Sequence, residues 1–120
     1  MIKLTIILLS VLATVAAQIS LKKGMLIHGA IRSADTLRLN ELFGNVYIWI
    51  GGSSYIFAFA LYLVLLSRFE LSRIYPVTTG LAFVSVVLIS NNVFRELVSI
   101  DKIVGIAFIL VGITLLTYRL

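Results

Sequence analysis

The chain has 120 residues, of which 61% are hydrophobic and only 12% charged, with a formal net charge of +5. Soluble domains carry roughly 25% charged residues, so this composition excludes an ordinary soluble globular protein. With no cysteine, one histidine and five carboxylates, the chain has no disulfide framework or thiolate metal site and little material for triad or metal-assisted chemistry; we expect no enzyme, no cofactor and no metal. The basic residues sit between apolar runs, which directs their charge toward lipid phosphates rather than nucleic acid.

A membrane-spanning helix needs about 20 predominantly apolar residues. Four stretches qualify, at about residues 4–21, 46–67, 74–91 and 102–118. Continuous apolar runs exclude a β-barrel, and backbone groups in hydrocarbon must be bonded internally, so the expected fold is an all-α integral membrane domain of four transmembrane helices.

The first stretch also reads as a secretory signal, with Lys3, an apolar core and the small residues Ala13, Ala16 and Ala17. Three further spans follow it, so it is taken as the first transmembrane helix. It carries one polar stripe. Ser10, Thr14 and Gln18 recur every four residues and share a face with Ala13 and Ala17, within an arc of about 140°. Lys22 and Lys23 end this helix, giving a neutral groove with a cationic mouth.

The connection between the first and second spans is the one long link. Within it, Asp35 is placed to cap a short interfacial helix over 36–43, with Gly44 as its stop, and the lone His28 reads as an interfacial residue. The second span carries Gly51-Gly52-Ser53-Ser54, a kink or a close-approach point, and Tyr47 and Trp49 at belt positions. Tyr55 and Tyr62, seven apart on one face, either pack on the first helix or line a pathway. Pro76 opens the third span, where Tyr75 and Thr78 are positioned to face Ser10 or Gln18. In the fourth, Gly105 and Gly112 lie seven apart on one face, a seam for close helix approach either within the chain or across a dimer. We expect a dimer, with itself or with a paralogue.

All five carboxylates fall in connections, and Glu96 alone is close enough to a span to dip into the bilayer or to bridge Arg95 or Lys102. One side of the membrane carries Lys3, Arg68, Arg73 and Arg119; the other carries Lys22, Lys23, Arg32, Arg38, Arg95 and Lys102. That asymmetry leaves orientation weakly determined.

Four helices in this length resemble the small multidrug resistance transporters of the drug/metabolite transporter superfamily. The segment IYPVTTG at 74–80 resembles that family's third-helix A-Y-A-x-W-x-G motif, and 94–113 resembles its last loop and fourth helix. The family's first-helix glutamate, in L-A-E-V, corresponds to Thr14 in LATV, and its drug-packing tryptophan to Thr78. Both cation-binding groups are therefore replaced. A closer resemblance is to the subunits that flip 4-amino-4-deoxy-L-arabinose-phosphoundecaprenol. Their first helix reads like S-V-A-G-Q-L-x-x-K or S-V-A-Q-L-S-L, against TVAAQISLK at 14–22, and Glu96 with Ser99 matches their E-P-V-S. This resemblance implies a flippase in a bacterial inner membrane, moving an anionic polyprenyl-phosphate-linked sugar or related lipid. Lys22 and Lys23, with Arg68, Arg73 or Arg95, would then hold phosphate, while Ser10, Thr14, Gln18 and Thr78 would bond sugar hydroxyls. The other reading is a proton-coupled exporter of cationic amines or drugs with Glu96 as the coupling acid; a third is a membrane partner that only stabilises a glycosyltransferase.

Overall fold

The computed structural model describes residues 2–28 and 43–118. Four helices follow one another: α1, Ile2–His28; α2, Val46–Leu66; α3, Leu71–Val93; and α4, Ile100–Thr117. Each is long and apolar enough to cross a membrane, and no strand occurs among the described residues. Short links, residues 67–70 and 94–99, join α2 to α3 and α3 to α4. The expected interfacial helix over 36–43, with its cap Asp35, lies outside the described residues except for Phe43, whose carbonyl accepts a hydrogen bond from Trp49 Nε1 at 2.6 Å.

Helix α1 is longer than its apolar run. Lys22 and Lys23 do not end it, because lysine is a good helix former, and the helix runs on through Gly24. At about 1.5 Å per residue its 27 residues reach about 40 Å, beyond a hydrocarbon core of about 30 Å. Gly24 survives there for a packing reason. A Cβ on it would lie 3.0 Å from Ile48 and 3.2 Å from Asn45 and Tyr47, and its carbonyl accepts from Asn45 Nδ2 at 2.9 Å. The same Asn45 caps α2 by accepting from the Tyr47 amide at 3.0 Å. One side chain thus starts α2 and ties it to the end of α1.

Pro76 does not open α3. The helix starts at Leu71, one and a half turns earlier, with Glu70 at the cap position. A proline there lacks the N–H that would bond Ser72, a first-turn carbonyl, while the Arg73 and Ile74 amides are satisfied by the Glu70 carbonyl at 3.1 and 3.0 Å. Helix α4 begins at Ile100, two residues before expectation, because Ser99 caps it by accepting from the Lys102 amide at 3.4 Å. Asp101 in the first turn suits the positive end of the helix dipole.

Helix α1 is the centre of the fold. It packs along α2 and α3, whereas α2 and α3 touch each other little, and α4 packs on α3. The core gathers Ile7, Val11 and Val15 of α1 with Leu65 of α2, Ile74, Val77 and Ala82 of α3 and Ile113 of α4. Small residues set two close approaches. A Cβ on Gly51 would lie 2.7 Å from Leu21 and 3.2 Å from the Ala17 carbonyl, so α2 meets α1 there; a Cβ on Gly80 would lie 2.8 Å from Ile113, so α3 meets α4 there. Of the two adjacent glycines in α2, Gly51 is the close-approach point and Gly52 faces open space.

Candidate functional site

Because α2 and α3 both lean on α1 but barely on each other, a groove of about 490 Å³ remains between them. Its floor is the polar stripe of α1: Ser10, Thr14 and Gln18. One wall is Tyr55, Phe59 and Tyr62 of α2, and the other is Tyr75, Thr78, Thr79 and Phe83 of α3. Ser10 to Gln18 spans about 12 Å along the middle of α1, so the groove lies midway along this candidate membrane span. Phe59 and Phe83, on opposite walls, are both more than half exposed, so the groove opens sideways between α2 and α3.

The periodicity that makes this floor is also what hides its polarity from the core. Thr14 and Thr78 turn their hydroxyls back onto their own helices, donating to the Ser10 and Ile74 carbonyls at 2.9 Å each. Gln18 Nε2 donates across the groove to the Tyr55 hydroxyl, joining α1 to α2. Tyr62 and Tyr75 meet edge to face with ring centroids 6.4 Å apart, joining α2 to α3. The hydroxyls of Ser10, Tyr62, Tyr75 and Thr79 have no hydrogen-bond partner among the described residues, so they remain available to whatever enters. No aspartate, glutamate, lysine, arginine or histidine lines the groove.

Seven of the residues singled out from sequence come together in this groove: Ser10, Thr14, Gln18, Tyr55, Tyr62, Tyr75 and Thr78. Four others do not line it. Lys22 stands one turn beyond Gln18, within the last two turns of α1, and its Nζ lies 3.9 Å from Glu96 Oε1, in the connection between α3 and α4. Lys23 is exposed beside it. Arg73, at the opposite membrane face, lies 3.4 Å from Glu70. Glu96 thus pairs with Lys22 rather than with Arg95 or Lys102, and lies outside the groove. Lys102 instead donates to the Leu97 carbonyl at 3.0 Å.

The aromatic walls extend further than the tyrosines alone. Phe59 and Phe83 complete them, and nothing in the periodicity of either helix distinguishes these two from lipid-facing phenylalanines. Among the described residues nothing packs against the glycines of α4: a Cβ on Gly105 or Gly112 would meet no atom within 4 Å. No group of three or more His, Cys, Asp or Glu side chains gathers among the described residues. No family model, curated protein or solved structure matches this chain.

Proposed function

We propose that this protein is a flippase-type transporter that moves an anionic lipid, of the polyprenyl-phosphate-linked sugar class, across a bacterial inner membrane. The observation that carries the reading is the groove itself. It lies midway along α1, lacks any charge, presents free hydroxyls and opens sideways between α2 and α3. A sugar head needs hydrogen-bond donors and acceptors to leave water, and tyrosine supplies these together with an apolar ring face. The greasy tail stays outside in lipid, which a lateral opening permits. A carboxylate in such a groove would repel a phosphate, and the lining has none. The cations that would hold the phosphate stand at the helix ends: Lys22 and Lys23 on one side, Arg68 and Arg73 on the other.

A dimer, with itself or a paralogue, completes the proposal. Gly105 and Gly112 leave a seam on α4 that nothing among the described residues fills, and small residues are how membrane helices approach closely. Rocking of one copy against the other would expose the groove to each side in turn.

The competing reading, export of a cationic amine, draws on the five aromatic rings of the walls, whose faces attract cations. It lacks a counter-charge in the groove, because Glu96 is engaged with Lys22 outside it.

The test is reconstitution in liposomes with a fluorescent polyprenyl-phosphate sugar and a membrane-impermeant quencher. Translocation is expected with the wild-type chain, to fall about tenfold in Gln18→Leu and to persist in Glu96→Gln, a tenfold loss being the worth of one good polar contact. Lipid that stays put, together with amine efflux that consumes a proton gradient and is abolished in Glu96→Gln, would replace this reading by the exporter.

A further inference from the structure

Among the described residues, the cations of the two membrane faces differ in how they are held. On the α1-terminal face, Lys22 is paired with Glu96, while no hydrogen bond or ion pair engages the side chains of Lys23 and Arg95. The Lys22–Glu96 pair occupies a particular place. Residues 10, 14, 18 and 22 form one stripe in steps of four, so Lys22 continues the groove floor one turn, about 6 Å, beyond Gln18. Glu96 comes from the segment directly after α3, the helix whose Thr78, Thr79 and Phe83 form a wall. The pair therefore ties the floor helix to a wall helix at the cationic mouth.

The backbone leading to Glu96 is held at a cost. Arg95 follows the end of α3 with φ of 53°, a left-handed conformation that helices ordinarily give to glycine. This turn directs the chain back so that Glu96 reaches α1. The connection is fastened again by Lys102 Nζ on the Leu97 carbonyl. A salt bridge between two side chains that are 52% and 40% exposed contributes little to stability, because water and salt screen it. A strained, twice-fastened connection that yields such a weak bond is poorly explained as stabilisation. It is well suited to being opened.

Resting on the anionic-lipid reading above, we propose that Lys22–Glu96 is a latch that a phosphate group opens by taking the place of the Glu96 carboxylate at Lys22 Nζ. A phosphate carries the same charge sign as the carboxylate and more acceptor oxygens, so it competes for the same ammonium. Arg95 and Lys23, without an ion-pair partner among the described residues, add attraction for the anion and none for a neutral lipid. Releasing Glu96 frees the α3–α4 connection from α1 and uncovers the groove end at Gln18. The latch thereby admits phosphate-bearing heads and stays shut to neutral ones.

Because the chain contains no cysteine, a pair of introduced cysteines can carry spin labels cleanly. Leu26→Cys, one turn beyond Lys22, and Leu97→Cys, beside Glu96, are both exposed positions. In nanodiscs, the distance between these labels is expected to lengthen with farnesyl phosphate and to stay unchanged with farnesol. Inorganic phosphate separates the sources: an equal response assigns the site to a free anion, and none assigns it to a lipid headgroup. Glu96→Gln is expected to give the long distance without ligand and about fivefold tighter farnesyl phosphate binding, the weight of one exposed competing ion pair. Lys22→Gln gives the long distance with no response. The exchanged pair Lys22→Glu with Glu96→Lys restores the short distance, which separates loss of the latch from loss of the fold. A distance unmoved by either phosphate, or moved equally by farnesol, overturns the latch. Translocation at the wild-type rate in Lys22→Gln would also overturn it while leaving the flippase standing. A latch that responds in a protein that moves no lipid would do the reverse.

Discussion

Helices α1 and α4 have similar apolar character, yet the fold uses them in opposite ways. Helix α1 touches two helices, and six of its described residues, Ile7, Ser10, Val11, Val15, Ala17 and Gly24, are buried. Helix α4 touches α3, and Ile113 is its one buried residue. In water such an exposed apolar helix would collapse onto its neighbours. In lipid the hydrocarbon tails are as apolar as leucine, so burial brings no hydrophobic gain, and packing is decided by shape and polar bonds instead. Helix α1 has both: a small-residue notch at Ala17 for Gly51, and a polar stripe whose Gln18 bonds Tyr55 of α2. Helix α4 has a glycine seam with nothing set into it among the described residues.

The sharpest way to break this contrast is to truncate one residue on each side of it. Leu65 is fully buried between α1 and α3, and Leu65→Ala is expected to destabilise the monomer by about 3 kcal/mol in detergent unfolding. Leu115→Ala, on the exposed face of α4, is expected to change it by less than about 0.5 kcal/mol. Equal losses would mean that α4 is packed as tightly as α1. Next comes filling the notches. Gly51→Val forces Leu21 and the Ala17 carbonyl aside and should cost about 2 kcal/mol in the same assay. The double change Gly105→Leu with Gly112→Leu meets open space, so monomer stability should hold while dimerisation, followed by fluorescence energy transfer in liposomes, weakens about tenfold or more. The smallest effect is expected at the bond that spans the groove. Tyr55→Phe removes the acceptor for Gln18 and should cost about 0.6 kcal/mol, the average for a polar contact between membrane helices. A loss several times larger would show that Gln18 and Tyr55 hold α1 and α2 together and do more than line the groove.

The elements themselves were legible in the sequence, since a span needs only length and apolarity. Their ends were less so. Hydropathy marks where lysine and arginine begin, whereas helices stop where caps and chain geometry dictate: α1 passes Lys22 and Lys23, and α3 begins before Pro76. At the groove, the α1 floor could be read because a four-residue repeat of polar groups in an apolar helix has one face. Tyr55, Tyr62, Tyr75 and Thr78 could be proposed as polar groups in need of partners. Phe59 and Phe83 could not, because an aromatic residue at a groove rim and one in lipid have the same local pattern.

What the chain determined alone is four helices long and apolar enough to cross a membrane, with charge kept toward their ends. That follows from the cost of an unbonded peptide group or an ion in hydrocarbon, a cost paid residue by residue and so readable in one dimension. Tertiary structure decided which partners those ends and faces meet. Lys22 meets Glu96, α2 and α3 stand apart over α1, and the α4 glycines look outward. These depend on side-chain shapes meeting across helices distant in sequence, in a solvent that favours no apolar face over another.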